Sequence, residues 1–356
     1  MRVLIVDDSP SVRVLLRSVM EGAGLQVREA ANGEQALHVL MSFTPDIVTM
    51  DVHMPGMDGY ETTARILERH ALPVVVLTLS CNAKDASTAM RALEAGALAV
   101  LEKPAGPHCA NFETRVNDLL RTLLNLAQVK IVRRPYTPPL GTARALLPKQ
   151  NLQPEQPLLV AIAASAGGPA ALKVLLDKLL PKQPWPLLLA QHISAGFIDS
   201  FRDWLASLSS MPVHLAQEGQ ELLPGGLYLA PEGHHLGVDA NLRARLERGN
   251  HNIPFCPSAN HLFNSVAQSL GSRAIAIQLS GMGRDGAEGL AELHRLGAMT
   301  IVQEPGSAVI DAMPLAAINL QAAQLVLAPE AMATLLNTLA ARSISSGHAP
   351  GGEGLC

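Results

Sequence analysis

Five residues able to handle a phosphoryl group sit where apolar runs end in the first third of the chain. Asp7 and Asp8 follow VLIV (3–6), Asp51 follows DIVTM (46–50), Thr78 closes VVVLTL (74–79) and Lys103 follows ALAVLE (97–102). If those runs are strands of an open parallel sheet, all five meet at its carboxyl edge, where such folds bind ligands. Three converging carboxylates repel one another unless a hard cation lies among them, and Mg²⁺ takes oxygen ligands while keeping some water. A hydroxyl and an ammonium beside them could hold phosphoryl oxygens. The chemistry that suits this set is phosphoryl transfer to a carboxylate, giving an aspartyl phosphate. Taken singly, Asp7 and Asp8 read better as a helix cap, and Lys103 as one of many surface lysines. Five such residues in this order do not.

A second set lies further along. In VAIAASAGGPAALKVLL (160–176) Ser165 stands where an apolar run gives way to two glycines and a proline. A serine hydroxyl is a poor nucleophile without a general base, and the base must be held in the right tautomer. His192, ending LLLAQ and opening HISAGF, is the candidate base, and Asp285 in LSGMGRDGAEG (279–289) the candidate orienting acid. The glycines there leave backbone N–H groups free for a developing oxyanion, with Ala166 and Met282 as candidate donors. The order Ser, His, Asp differs from that of the familiar serine hydrolases, and Ala163 breaks the G-x-S-x-G elbow. Two alternatives stay open on the residues alone. SGMGRDG could be a phosphate loop, although it lacks a P-loop lysine. His234, His235, His251, Cys256 and His261 resemble a metal cluster, although their spacing matches no standard zinc pattern and a turn-and-loop reading is preferred.

These residues need elements to position them. Short apolar runs alternate with amphipathic stretches such as VRVLLRSVMEGAG, EQALHVLMSF and ASTAMRALEAG, which predicts five β-α units, a parallel doubly wound sheet and a last helix near FETRVNDLLRTLLNLAQ. Residues 129–157 are rich in proline and polar residues and read as a linker. Periodicity resumes at LLVAIAA (158–164), with strands expected at LLLAQ (187–191), LYLAP (227–231), AIAIQLS (274–280), TIVQE (300–304) and QLVLA (324–328). The second domain is therefore again α/β, with a more antiparallel section at 211–256. The end, SSGHAPGGEGLC, is expected to be disordered.

Composition narrows the function. At 356 residues two domains are expected, and 48% hydrophobic with 16% charged residues describes a globular protein with ample core. A net charge of −4 and 3% aromatics give no footing for a nucleic-acid partner. Four scattered cysteines without a C-x-x-C pair suit a reducing compartment. No signal peptide is evident and no apolar stretch approaches the roughly 20 residues of a membrane span, so a cytoplasmic protein is expected.

IVDDSPSVRVLL, MDVHMPGMDG, Thr78 and the EKP triplet resemble the receiver domain of bacterial response regulators. That resemblance implies a flavodoxin-like domain in which Asp51 accepts phosphate from a histidine kinase. Asp8 would bind Mg²⁺ directly, Asp7 through water and His53 through its main-chain carbonyl, while Thr78 and Lys103 sense the phosphoryl group. A receiver followed by a linker, ASAGGP, QHISAGF, LPGGLYLAP, GHH, PSANHLFNSVA and LSGMGRDG together resemble the CheB family of chemotaxis protein-glutamate methylesterases. The family resemblance implies a triad of Ser165, His192 and Asp285, with no cofactor for the esterase. Its substrate would be γ-glutamyl methyl esters on methyl-accepting chemoreceptors, with receptor glutamines deamidated by some members. A CheA-like kinase would be the phosphodonor, and the receiver would block the site until Asp51 is phosphorylated.

The expected organisation is a receiver at 1–126, a linker at 127–156, a Rossmann-like methylesterase domain at 157–344 and a tail at 345–356, acting as a monomer. Five positions depart from the family pattern. Val100 stands where receivers usually carry an aromatic switch residue, and Ala163, Ala166, Cys256 and Asn260 stand where glycine, threonine, arginine and aspartate are commoner. The competing reading is a non-catalytic signalling module in which the receiver is a phosphate sink and the second domain only binds receptor or kinase. A DNA-binding regulator is disfavoured for want of a basic recognition helix.

Overall fold

The structure, a computed structural model, describes residues 1–79, 90–106, 108, 109, 111–129, 131, 157–249 and 255–346. The chain divides into two compact units, one holding a five-stranded sheet and the other a seven-stranded one.

In the first unit β1 (Arg2–Val6), β2 (Gln26–Ala30), β3 (Ile47–Asp51), β4 (Val74–Thr78) and β5 (Ala99–Glu102) pair in parallel in the order β2-β1-β3-β4-β5. β3 and β4 are buried along their whole length, which is why they read as unbroken apolar runs, whereas the edge strand β2 alternates. The helices α1 (Pro10–Gly22), α2 (Gly33–Val39), α3 (Gly59–His70) and α4 (Phe112–Leu126) connect and follow these strands. Local chemistry starts them: Pro10 opens α1, and the side chains of Asn32 and Asp58 accept from the N–H of Gln35 and Glu61, each at 2.8 Å. Residues 90–94 are helical, as ASTAMRALEAG predicts, while its beginning lies outside the described residues.

In the second unit seven strands are all parallel: β6 (Leu159–Ala164), β7 (Leu187–Gln191), β8 (Val213–Leu215), β9 (Leu227–Leu229), β12 (Ala274–Gln278), β13 (Met299–Gln303) and β14 (Leu325–Leu327). Their order is β14-β13-β12-β6-β7-β9-β8. The section 211–256 is thus antiparallel only in part. β8 and β9 extend the parallel sheet, and the antiparallel pairing is the hairpin β10 (His234–Val238) with β11 (Ala244–Arg248). The difference is visible in burial: LYL of β9 is wholly buried, as an inner strand must be, while β11 is largely exposed. From residue 168 onward the helices are α5 (Gly168–Asp177), α6 (Ile198–Leu208), α7 (Ala259–Leu270), α8 (Ala287–Arg295), α9 (Ala312–Asn319) and α10 (Pro329–Ser346). Leu262, Phe263 and Val266 of α7 and Leu290 and Leu293 of α8 form one core with Ala161, Ala163 and Leu188 of the sheet.

Most of the expected linker, and the tail from residue 347, lie outside the described residues; α10 runs to Ser346, two residues into the expected tail. Among the described residues no helix is long and apolar enough to cross a membrane.

Candidate active site

The parallel registers set the first cluster. Asp51 ends β3 opposite Leu77, Thr78 ends β4 opposite Glu102, and Lys103 follows, its N–H donating to the Thr78 carbonyl at 2.7 Å. Ligand oxygens of Asp7, Asp8 and Asp51 lie within 4.8 Å of one another. The buried Lys103 ammonium bridges two of these carboxylates, at 2.7 Å from Asp7 Oδ2 and 2.9 Å from Asp51 Oδ1. Burial raises the Asp51 pKa, Lys103 opposes that shift, and Asp7 adds to it. Asp7 is fixed from two sides: its carboxylate accepts from the Ser9 N–H at 2.9 Å and its carbonyl from Arg13 at 2.7 Å. Thr78 is buried, whereas Asp8 and His53 are exposed. Val100 is buried on β5 beside Val76.

The second cluster forms at the carboxyl edge of three adjacent strands, β12, β6 and β7. Ser165 follows β6, His192 follows β7, and Asp285 lies on the loop after β12. His192 Nδ1 is 3.1 Å from Ser165 Oγ, and its Nε2 is 2.9 Å from Asp285 Oδ2. A neutral imidazole donates at one nitrogen and accepts at the other, so with Nε2–H on Asp285 the free lone pair faces the serine. The ring turns the opposite nitrogen to the serine from the one used in chymotrypsin. Phe255 stacks on the imidazole at 4.7 Å between centroids, the planes 7° apart.

Asp285 is the most fully bonded member. Oδ2 also accepts from the Ala259 N–H at 2.7 Å, and Oδ1 accepts from the Ser258 hydroxyl and the Asn260 N–H, each at 3.0 Å. Ser258 is the N-cap of α7, so the carboxylate sits on the positive end of that helix. Burial works to raise its pKa, but the hydrogen bonds from His192, Asn260 and Ala259 outweigh it and hold the carboxyl below its ordinary range. Ser258 in turn donates its N–H to His235 Nδ1 at 3.0 Å, and that ring stacks on His261 at 4.9 Å. Burial first, and then His261, lower the His235 pKa.

Glycine makes room for the serine. Gly167 has φ +77°, and a Cβ there would strike the Ser280 hydroxyl and Val309. Gly281 packs its bare Cα against the Ser165 Cβ and Met313, so any side chain would collide with both. That contact brings the loop holding Met282 alongside Ser165. The N–H groups of Ala166 and Met282 have no acceptor among the described residues.

The residues that sequence reasoning passed over are three glutamines. Gln191, Gln278 and Gln303 close β7, β12 and β13 and are all buried. Gln191 Nε2 donates to the carbonyls of Ser165 and His192 at 2.9 and 2.8 Å, pinning two members of the cluster to each other. Gln278 holds Met313 at 2.9 Å, and Gln303 accepts from the Ser280 N–H at 2.7 Å. An amide ending three apolar strands in turn is the signal that could have found them.

The departures find places too. Ala163 is buried inside β6, and the Ala166 carbonyl accepts from Ser280 at 3.0 Å. Asn260 Oδ1 accepts from the Gly289 N–H at 2.9 Å, and burial raises the Cys256 thiol pKa. Among the described residues only Asp7, Asp8 and Asp51 converge as a possible metal site; His234, His235, Cys256 and His261 form no such group, and His251 lies outside the described residues.

The chain is similar throughout to known proteins. Residues 160–336 match the CheB methylesterase family model and residues 3–109 the response regulator receiver domain model. A protein-glutamate methylesterase/protein-glutamine glutaminase of Hahella chejuensis is 47% identical over 96% of this chain and 99% of its own. Another bearing that description, from Syntrophus aciditrophicus, is 39% identical over 95% and 98%. Among solved structures, the CheB methylesterase catalytic domain of Thermotoga maritima superposes with a TM-score of 0.49 at 30% identity, covering 52% of this chain and 99% of that one. With two sheets in the expected order and a relative matching along nearly its whole length, the chain belongs to the CheB methylesterase family, with a receiver domain ahead of the methylesterase domain.

Proposed function

We propose that the second unit hydrolyses γ-glutamyl methyl esters on methyl-accepting chemoreceptors to glutamate and methanol. The observation that carries this reading is the Ser165–His192–Asp285 row, at 3.1 and 2.9 Å, on one sheet edge. His192 Nδ1 takes the Ser165 proton as Oγ bonds to the ester carbonyl carbon. The N–H groups of Ala166 and Met282 hold the oxyanion, and Asp285 steadies the imidazolium. Collapse breaks the bond to the methoxy oxygen, which leaves as methanol with the proton from His192. Water, deprotonated by the same ring, then cleaves the acyl-serine and releases glutamate. A receptor glutamine follows the same course with ammonia leaving, which would give this chain the glutaminase activity in its relatives' names.

The first unit is proposed to gate this activity. Three carboxylates supply hard oxygen donors that fit Mg²⁺, with Asp8 and Asp51 as direct ligands, Asp7 through water and the His53 carbonyl completing the set. The metal would neutralise charge around Asp51 while that carboxylate accepts the phosphoryl group of a histidine kinase. Thr78 and Lys103 would hold the new phosphoryl oxygens, and phosphorylation would relieve inhibition. Methanol release from methylated receptor by the full protein, with and without a small-molecule phosphodonor, tests both halves; absence of methanol under both conditions overturns the esterase reading.

A further inference from the structure

A cleft of about 1020 Å³ opens beside Asp285. Its lining includes Phe255, Ser258 and Asp285, the α7 residues Asn260, Asn264 and Gln268, and four charged side chains, Arg245 and Glu247 of β11 with Arg284 and Glu288. Apart from Asp285 at its edge, the steps of the hydrolysis use none of this space. One glutamyl ester side chain fills a small part of such a volume, so the cleft is sized for the polypeptide around it. It is also continuous with the triad, because Phe255 lies on the His192 ring and Asp285 bonds its edge.

The lining has a definite chemistry. Asn260, Asn264 and Gln268 recur every four residues and so lie along one stripe of α7, offering amides about 6 Å apart. Four carboxylates (Glu218, Glu247, Asp285, Glu288) face two guanidinium groups, and both cations are engaged. Arg245 is shared between Glu218 at 3.1 Å and Asp239 at 2.7 Å, and Arg284 is 2.8 Å from Glu288. Among the described residues Glu247 is paired only with the His261 ring, at 3.7 Å. The cleft therefore offers hydrogen-bonding amides in a negative field, which accepts neutral esters and amides and repels carboxylates.

We propose that this cleft docks the polypeptide segment flanking the scissile ester, and that its carboxylates select segments whose other glutamyl side chains are still neutral. Each hydrolysis leaves a carboxylate, so a segment with several esters would bind more weakly as it is processed and leave when finished. This inference rests on the esterase reading above.

Its test uses two helical peptides, each with one central glutamyl methyl ester, flanked at neighbouring positions on the same face by glutamines in one and glutamates in the other. Methanol release by the full protein with a phosphodonor should show a KM roughly three- to tenfold lower for the glutamine-flanked peptide, the size expected of a few partly screened charges. The KM ratio should shrink towards one in 1 M salt, and in the double variant Glu247→Gln, Glu288→Gln. Equal KM values for the two peptides overturn the proposal, as does a ratio that neither salt nor the double variant moves. Release from intact methylated receptor but from neither peptide also overturns it. Release from neither receptor nor peptide overturns the esterase reading instead.

Discussion

The Asp285 carboxylate rests on the first N–H of α7, with Ala259 donating to the same oxygen that faces His192, at 2.7 and 2.9 Å. One helix end thus fixes the carboxylate that orients the His192 ring. Asp285→Asn should reduce kcat for methanol release by about 10⁴-fold, because the amide no longer holds the required tautomer. The folded carboxyl has a lowered pKa, so its contribution to stability is complete above about pH 4 and is lost as pH falls through the folded value. Acid unfolding below pH 4 should therefore be less steep in the asparagine variant; identical acid profiles would contradict the assigned charge.

Ser165→Ala should abolish catalysis, with methanol release down by roughly 10⁴- to 10⁶-fold, and leave phosphorylation of Asp51 untouched. Radiolabel transfer to Asp51 in the inactive variant checks both at once. Residual release near the unaltered rate would remove Ser165 from the mechanism.

Gly281→Ala places a methyl group into the Ser165 Cβ and Met313. Overpacking of this kind costs about 1–3 kcal/mol, so thermal unfolding should shift down by a few degrees. Because the collision is with Ser165, the proposed nucleophile, kcat should fall further than the loss of folded protein explains. A variant with unchanged Tm and kcat would mean that the loop does not pack as described.

Addition of Mg²⁺ and a small-molecule phosphodonor should raise methanol release, and chelation should cancel the rise while leaving the basal rate in place. Asp51→Asn should show the basal rate alone. Equal release with and without phosphodonor would mean that no gate operates, a relevant outcome with buried Val100 in place of an aromatic residue.

His235 is wholly buried, and its lowered pKa keeps the folded ring neutral while the unfolded chain takes up a proton near pH 6.5. Stability tied to this group is complete above pH 6.5 and declines as pH falls below it. Melting between pH 7.5 and 5.5 should show a drop in Tm that is smaller in His235→Gln. A drop of equal size in the variant would assign the effect to other groups.

Much of the site was legible along the chain because its residues follow strands. In a parallel sheet every strand ends on the same edge, so Asp51, Thr78 and Lys103, or Ser165 and His192, are brought together by connectivity alone. Five parallel strands in the first unit, and candidates such as Asp51, Lys103, Ser165 and His192, could be named from apolar runs and what terminates them, whereas the strand order could not. Asp285 was harder, being seven residues past the end of β12, and only the glycine-rich loop marked it. What tertiary structure decided is what pattern cannot carry. β8 and β9 join the parallel sheet because of which neighbour they meet, and a three-residue strand such as LYL has no period of its own. Gln191, Gln278 and Gln303 are held inside by backbone groups that the fold brings from loops distant in sequence, the carbonyls of Ser165 and Met313 and the N–H of Ser280. The sequence by itself determined which groups could react and on which edge they stand. The fold decided which nitrogen faces which oxygen, because a buried polar group is placed by whatever satisfies its hydrogen bonds.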